Sequence, residues 1–358
     1  MTNDDTIPGV INAATFFPIN SDGSLGAGTS VVTGGIGTLG GFFAAARVMV
    51  VPNGSDACVF AADGGSFDIA GIDAATQSVT GLYRGGPTDS GAANGIGLAA
   101  NARYLYASYT SSSTIATFQM LPGCALSFVG DLLSVGLNGG VVDGMAVHGN
   151  LMVITYGDGS IESFDISAGE PVSNGDLQNS TGAANDHLPN SVIITPDGHY
   201  AIFGDASTVS TTEVSDISSG SLTPTVVYPL GNAWNSSSIQ LSPDGTMLFV
   251  SNNSGGKVTA AFFNAATGQL TKGCTSPALR GFYKNYAFLG SLGLQSNTGT
   301  GGTIYVPEFG SNGTSYIGLL QLSVSGSTCT LTEMADPHVS DPHPTAALLS
   351  IAVYSAAP

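Results

Sequence analysis

The sequence predicts an all-β protein, and composition, turn chemistry and an internal repeat all support this fold class. Gly accounts for 50 of the 358 residues, while charged residues make up only 9% and hydrophobic residues 42%. Many small residues with few charges are typical of sheets joined by tight turns. Within Ser238 to Gly273, short apolar runs alternate with turns such as Ser242-Pro243-Asp244-Gly245. Pro presets φ in such a turn and Gly permits a positive φ, so the stretch indicates three strands and the start of a fourth.

Weaker copies of this stretch recur along the chain at a nearly constant interval. The turn after the first strand of each unit contains Asn53, Asn101, His148, Asp197 and Asp244, so successive turns are 48, 47, 49 and 47 residues apart by subtraction. Repeats of this length are typical of the four-stranded blades of propellers. The sequence therefore predicts a β-propeller with four-stranded antiparallel blades.

The two ends of the chain predict how the ring closes. Residues 13–25 and 29–33 match the last two strands of a unit, and residues 344–354 match one first strand. A sixth unit begins near Tyr286 and carries an insertion at 295–302. Joining the ends completes a seventh blade and removes a sheet edge, so we predict one seven-bladed domain over residues 1–358. Because residues 1–3 align with the end of a second strand, we expect upstream residues, including a secretion signal, in the native product.

The net charge of the chain limits the kinds of partner that it can bind. The chain carries 25 acidic and 7 basic residues, a formal net charge of −18. Nucleic acid and anionic membranes are recognised by clustered Lys and Arg, so we expect neither as a partner. An acidic surface favours solubility and disfavours phosphorylated ligands. We expect a monomer that works without a cofactor.

Four cysteines, Cys58, Cys124, Cys274 and Cys329, predict an oxidising compartment and hence a secreted protein. None forms a CxxC pair, so neither a zinc ribbon nor a thioredoxin-type site is indicated. Four cysteines allow three sets of disulfide pairings, and the sequence does not choose among them. Cys274 and Cys329 lie in outer-strand regions of consecutive units and form a plausible bridge, which leaves Cys58 as a candidate buried thiol.

Several motifs resemble one enzyme family. Ser/Thr-Pro-Asp-Gly turns occur at 195–198 and 242–245, a Leu-Phe-Val strand ends in Asn252, and a Thr-Gly-Gln-Leu hairpin follows at 267–270. This pattern resembles the lactonase-like seven-bladed propellers, of the 6-phosphogluconolactonase and 3-carboxymuconate cyclase type. The resemblance implies an enzyme that opens or forms a lactone of a small hydroxy or carboxylic acid. With so few cations to bind a phosphate, we do not expect 6-phosphogluconolactonase activity itself.

Candidate site residues follow from the propeller, where the entries of innermost strands and the ends of second strands surround the channel mouth. We predict acid/base roles for Asp143 or His187. The predicted substrate-binding residues at strand entries or just before them are Asn190, Trp234, Asn235, Arg280, Tyr283, Lys284, Asn285 and His343. Arg280 and Lys284 would hold a carboxylate, whereas Trp234 and Tyr283 would form a ligand wall. The alternatives are inter-blade packing for His187 and Trp234 and a solvated loop for the basic residues.

Four carboxylates sit at the predicted ends of second strands: Asp63, Asp158, Asp205 and Glu308. Such a set could bind Ca²⁺ or supply a general base, but Asp also caps its own turn readily. We favour turn capping and predict no metal site.

A second function stays open from sequence alone, namely a secreted propeller without catalysis that binds a glycan, peptide or protein. Propellers serve many unrelated functions, so the fold does not decide. An enzyme is expected to show a buried titratable group with a strongly shifted pKa, and a binder an aromatic-rich rim.

Overall fold

Strands make up nearly all regular structure in the computed structural model. It describes residues 2–5, 11–37, 46–53, 56–84, 96–110, 112–181, 188–205, 211–230, 238–252, 256–280, 293–298, 301–309, 315–334, 339–340 and 346–354. In these ranges the sole helical element is a 3₁₀ turn at Pro122–Cys124. No helix in the described part of the chain is long and apolar enough to cross a membrane.

The strands form seven antiparallel sheets in these ranges, named here A to G in chain order. Sheet A contains β1 (Thr2–Asp5), β2 (Ile11–Phe16), β3 (Thr29–Ile36) and β30 (Ala346–Ser350). Sheet B contains β4 (Val48–Asn53), β5 (Asp56–Asp63), β6 (Asp68–Asp73) and β7 (Ser78–Tyr83). Sheet C contains β8 (Ile96–Ala100), β9 (Tyr104–Tyr109), β10 (Thr114–Met120) and β11 (Leu126–Leu133). Sheet D contains β12 (Val142–His148), β13 (Leu151–Tyr156), β14 (Ser160–Asp165), β15 (Val172–Ser173) and β16 (Gln178–Asn179).

The remaining three sheets follow the same plan. Sheet E contains β17 (Pro189–Ile194), β18 (Tyr200–Asp205), β19 (Thr211–Asp216) and β20 (Val226–Pro229). Sheet F contains β21 (Ile239–Leu241), β22 (Met247–Asn252), β23 (Lys257–Asn264) and β24 (Gln269–Thr275). Sheet G contains β25 (Gly293–Thr298), β26 (Gly301–Phe309), β27 (Ser315–Ser325), β28 (Thr328–Glu333) and β29 (Val339–Ser340).

The Pro-Asp-Gly turns have the predicted chemistry. Gly198 and Gly245 take positive φ values of 72° and 71°. In the second turn the Asp244 carboxylate accepts hydrogen bonds from the Ser242 hydroxyl at 2.6 Å and the Thr246 amide at 3.1 Å. An Asp that caps its own turn and a Gly that tolerates the left-handed region together fix the hairpin between the first two strands.

Both ends of the chain lie in sheet A, as predicted. Strand β1 lies between β2 and β30, with Thr2 opposite Ala14 on one side and Ser350 on the other. The Ser350 hydroxyl also accepts a hydrogen bond from the Arg47 amide at 3.1 Å, which ties this sheet to the start of sheet B.

Consecutive sheets pack against one another. The first strands β4, β8, β12, β17 and β21 form a continuous series of contacts, so they lie on the inside. Sheets F and G meet through β24 and β28, and sheet G meets the C-terminal strand β30 through β26. Each sheet therefore buries its faces between two neighbours.

The core lies between sheets, and two disulfides cross these boundaries. Phe60 of sheet B packs with Leu105 and Phe118 of sheet C, and Phe249 of sheet F packs with Leu320 of sheet G. Cys274–Cys329 joins sheets F and G, as predicted. The prediction of a buried thiol at Cys58 was wrong, because Cys58 pairs with Cys124 across sheets B and C. Two disulfides are consistent with an extracellular protein.

Most of the predicted insertion at 295–302 is paired as β-strand. Residues 293–298 and 301–309 are the two arms of one hairpin, with Gln295 opposite Thr303 and Thr298 opposite Gly301. Residues 295–298 and 301–302 of this segment therefore lengthen the first two strands of sheet G, and residues 299–300 lie outside the described residues.

Candidate functional site

Two neighbouring inner strands carry a bulged residue where they enter their sheets. In β12 the pairing with β13 shifts between Val142 and Gly144, which leaves Asp143 as the additional residue. In β17 the pairing with β18 shifts between Pro189 and Ser191, which leaves Asn190. A bulge bends the strand and redirects the side chain of the additional residue, and bulges are frequent beside active sites. Both were predicted site residues, and the bulges give them equivalent positions.

The two bulges lie on strands that approach each other closely. A methyl group placed on Gly144 would lie 2.9 Å from the Asn190 carbonyl oxygen and 3.0 Å from Cα of Ser191. The Gly144 amide meanwhile donates a 2.8 Å hydrogen bond to the Thr155 hydroxyl. Gly is therefore required at 144, and it allows the entries of β12 and β17 to lie side by side.

Asp143 has the environment of an acid/base group. Its side chain is only 6% exposed, and among the described residues none donates a hydrogen bond to its carboxyl. Burial, and secondarily the charge of Asp158, raises the pKa of Asp143 to about 7. A carboxyl with this pKa exists in both protonation states near neutral pH, which general acid–base catalysis requires.

The pKa of Asp158 is shifted in the opposite direction. It is partly buried, which opposes charge, but its carboxylate accepts hydrogen bonds from the Ser160 hydroxyl at 2.5 Å and the Asn138 amide at 2.7 Å, and from the Gly140 amide at 3.2 Å. These bonds lower the pKa of Asp158 below its ordinary value. Two carboxyl groups whose pKa values are moved apart can take different roles, Asp143 as the proton carrier and Asp158 as a fixed negative charge.

Asn190 supplies a neutral polar group at the equivalent bulge of β17. Its side chain is 4% exposed, and its Oδ1 accepts no hydrogen bond from the described part of the chain. A buried amide oxygen without a donor is costly, so such a group is commonly kept for a ligand or an ordered water.

A polar network missed by the sequence reading lies next to Asp143. Tyr156, opposite Val142 in the sheet, donates to Glu162 Oε2 at 2.6 Å, and its hydroxyl is 2.5 Å from the Ser134 hydroxyl. Ser173 donates to Glu162 Oε1 at 2.5 Å. Because all these groups are satisfied within the protein, the network holds the end of β13 in place. The sequence did contain one indication of this network, because Glu162 is a charged residue on the apolar side of a predicted alternating strand.

The other carboxylates at second-strand ends are buried, and the prediction that Asp63 caps its own turn was wrong. Asp63 Oδ1 accepts 2.8 Å hydrogen bonds from Asn12 Nδ2 and the Thr33 hydroxyl, which link sheets A and B. Burial raises the pKa of Asp63 to about 6 despite these bonds. Asp205 and Glu308 are also buried. In the described ranges no three metal-binding side chains come together. Asp158 caps its own turn and the preceding loop, as predicted.

Arg280 follows the last strand of sheet F and contacts sheet G. Its Nε is 3.1 Å from Glu333 Oε2, and its Nη2 donates to the Met334 carbonyl oxygen. In this structure its charge is engaged by sheet G, so a carboxylate ligand would compete with Glu333. The other predicted site residues lie outside the described residues: His187, Trp234, Asn235, Tyr283, Lys284, Asn285 and His343.

Comparison with known proteins shows the fold. No protein-family model and no curated protein matches the chain. A protein of Bacteroides fragilis, provisionally assigned as a 6-phosphogluconolactonase, is similar at 15% identity over 76% of this chain and 78% of that one, with a TM-score of 0.56. A protein of unknown function from Desulfotomaculum acetoxidans is similar at 15% identity over 91% and 94%, with a TM-score of 0.59. The Cps50 (Swd1) β-propeller domain of Myceliophteria thermophila is similar at 13% identity over 83% and 88%, with a TM-score of 0.56.

These likenesses agree with the strand topology. The chain is an all-β protein of four- and five-stranded antiparallel sheets with propellers among its structural neighbours. At identities of this size they speak for architecture, and the neighbours include proteins of unrelated roles.

Proposed function

We propose that sheets A to G are the blades of one seven-bladed β-propeller domain spanning residues 1–358, and that the chain is a lactonase-like enzyme. It would open or form a lactone of a small hydroxy or carboxylic acid where β12 and β17 enter their sheets. Contacts between consecutive sheets and the pairing of β1 with β30 support the ring. The single observation that carries the activity is Asp143, a buried carboxyl with a pKa of about 7 on a bulged inner strand.

The chemistry needs a proton carrier and a group that orients the carbonyl. Asp143 as carboxylate removes a proton from water, whose oxygen attacks the lactone carbonyl carbon. The ring C–O bond then breaks, and Asp143 returns the proton to the leaving alkoxide, which gives the hydroxy acid. In the reverse direction the hydroxyl attacks the acid carbonyl carbon and water leaves. Asn190 Nδ2 donates a hydrogen bond to the carbonyl oxygen as negative charge develops on it, and Asn190 Oδ1 accepts one from the attacking water.

The proposed substrate is uncharged or weakly charged. With 7 basic residues against 25 acidic ones, the surface field repels phosphorylated ligands. His187, Trp234, Tyr283, Lys284 and the other predicted substrate-binding residues complete the proposed site. We propose a secreted monomer, with the two disulfides as support, that needs no cofactor and has neither nucleic acid nor membrane as a partner.

Turnover of a lactone panel with γ, δ and sugar-derived rings tests this proposal. We expect the wild type to hydrolyse at least one member, with kcat/KM rising as pH passes about 7, and Asp143→Asn to lose about 10²- to 10⁴-fold. Asp165→Asn is the matched control, because Asp165 is exposed on the same sheet and caps its own turn through the Ser167 amide. A panel without any hydrolysis or lactonisation, or equal rates in wild type and Asp143→Asn, contradicts the proposal.

A second candidate is a secreted propeller that binds a glycan, peptide or protein without catalysis. The exposed apolar side chains of the outer strand β11, such as Phe128 at 41%, favour it. Binding of a ligand that Asp143→Asn leaves intact, together with no turnover, would select this alternative.

A further inference from the structure

An exposed apolar strip leads to the proposed site. It consists of Leu133, Val135, Leu137 and Val141, which are 69%, 47%, 48% and 39% exposed. These residues run from the end of the outer strand β11 to the start of the inner strand β12, two positions before Asp143. Large apolar side chains exposed singly are ordinary, but four in nine residues beside a candidate site indicate an apolar ligand.

The strip is ordered by the same group that borders Asp143. The Asn138 amide donates to Asp158 Oδ2 at 2.7 Å, and the Leu137 amide donates to the Ser160 hydroxyl at 3.2 Å. The Gly136 amide donates to the Gly140 carbonyl oxygen at 2.9 Å, which closes a turn. Because the backbone is already fixed, a ligand that lies on the strip loses little affinity to the ordering of the protein.

Charge narrows the chemistry of this ligand. The segment 133–141, Leu-Ser-Val-Gly-Leu-Asn-Gly-Gly-Val, has no charged side chain. Asp143 and Asp158 at its inner end, and the net charge of −18, disfavour an anion there. The features together favour an uncharged ligand with an extended apolar part.

We propose that the substrates are lactones with an alkyl or aryl substituent of about four carbons or more, whose ring lies at Asp143 and whose substituent lies on the strip. This inference rests on the proposed function and specifies its substrate class. It differs from the sequence-based expectation of a small hydroxy or carboxylic acid held by Arg280 and Lys284.

A chain-length series tests the proposal. The substrates are γ-lactones with methyl, butyl, hexyl and octyl substituents, and the readout is the hexyl-to-methyl ratio of kcat/KM. At about a twofold gain per partly buried methylene, we expect a ratio of roughly 30 in the wild type. The double variant Val135→Ser/Leu137→Ser should reduce this ratio to below about 5. Val172→Ser/Val226→Ser, at exposed positions on β15 and β20, should retain the wild-type ratio.

Each outcome decides between the two proposals. Turnover of the lactones with a ratio near 1 in the wild type, or an unchanged ratio in the strip variant, overturns the strip and leaves the lactonase proposal standing. If no lactone reacts, the lactonase proposal fails. Calorimetric titration with 2-alkyl tetrahydrofurans then tests whether the strip binds an apolar ligand. Affinity that rises with chain length and is lost in the strip variant supports an apolar ligand site, whereas affinity independent of length overturns it. Loss of a dimer in the strip variant with unchanged ratios would assign the strip to self-association and also overturn the proposal.

Discussion

At the scale of single residues, burial decides which carboxyl group is available for proton transfer. Asp143 is the first residue after Val142 and Asp158 the second residue after Tyr156, the pair at the open end of the β12–β13 hairpin, yet their pKa values move in opposite directions. Asp143 is buried and accepts no hydrogen bond from the described residues, whereas Asp158 is less buried and accepts several. Burial and local donors together, and not the residue type, therefore separate a structural Asp from one that can transfer a proton.

The raised pKa of Asp143 predicts a pH-dependent cost in stability. Its pKa is about 7 in the folded state against an ordinary value of 3.8, so the native state retains the proton to higher pH. The associated stability is complete below pH 4 and is lost as pH rises through about 7. Each pKa unit corresponds to about 1.4 kcal/mol, so Asp143→Asn should be more stable than the wild type by up to roughly 4 kcal/mol at pH 8 and similar at pH 4.

Urea unfolding of both proteins between pH 4 and pH 8 measures this difference. Asp165→Asn is again the control, because its exposed carboxylate has a lowered pKa and titrates below this range. Asp63, with a pKa of about 6, should leave a residual decline below pH 7 in the Asp143→Asn variant. A free-energy difference that does not grow with pH would show that Asp143 is ionised without penalty.

Sequence reasoning selected Asp143 and Asn190 but not their properties. Both were found because they precede a predicted inner strand, which is a local feature. The pKa of Asp143 depends on burial by neighbouring sheets, and Asp63 finds its partner Asn12 at a distance of 51 residues along the chain. Contacts between sheets have no local pattern, so the sequence could not predict them.

At the scale of elements, the close approach of β12 and β17 positions the site. We predict that Gly144→Ala destabilises the protein by about 1–3 kcal/mol, because the new methyl group would press on the Asn190 carbonyl oxygen and Ser191 Cα, both backbone atoms. Gly157→Ala is the matched control at the end of the neighbouring strand. Its methyl group would lie no nearer than 3.4 Å to Asp143 Oδ2, an ordinary contact.

Denaturant unfolding of the two Gly→Ala variants gives the comparison. Gly144→Ala should also lose more lactone turnover, since the strand that carries Asn190 has to shift. Equal stability of the two variants would mean that β17 adapts freely, and the side-by-side geometry of the two bulges would then have little importance.

The strands were largely predictable from the sequence, but the conformation of residues that interrupt the repeat was not. Turn residues such as Asp244 and Gly245 act within four residues of chain, so the strand boundaries at these hairpins follow from sequence. The segment 295–302 was read as an insertion because it interrupts the repeat. In the structure the longer strands β25 and β26 accommodate it, since a hairpin can lengthen by pairing more residues. Comparison of repeats shows additional length but not its conformation.

At the scale of the whole molecule, bonds between neighbouring sheets hold the arrangement together. The disulfides Cys58–Cys124 and Cys274–Cys329 each cross a boundary, as do the hydrogen bonds of Asp63 and the ion pair of Arg280. Only Cys274–Cys329 was expected, because these two cysteines lie in outer-strand regions of consecutive units, and Cys58 was left as a candidate buried thiol. The repeat predicted four-stranded antiparallel sheets without indicating which residues link one sheet to the next.

The pairing of β1 with β30 has the largest consequence for the molecule. A chain that ends after residue 345 lacks β30, so β1 loses its partner and sheet G loses its contact with β30. Strand β30 pairs with β1 in sheet A, contacts sheet G, and bonds to Arg47 before sheet B through Ser350. We therefore expect its loss to lower the melting temperature by roughly 10 °C or more. The exposed edge of β1 should also promote association.

Calorimetry, limited proteolysis and light scattering measure these effects, and a chain ended after Tyr354 serves as the control because it keeps β30. A synthetic peptide of residues 346–354 added in trans should restore part of the lost stability, since it can pair with β1 in the native register of Thr2 with Ser350. A shortened chain that melts and resists protease like the control would show that the sheets stand without this pairing. The closed ring, and with it the shared mouth at which Asp143 is proposed to act, would then have to be abandoned.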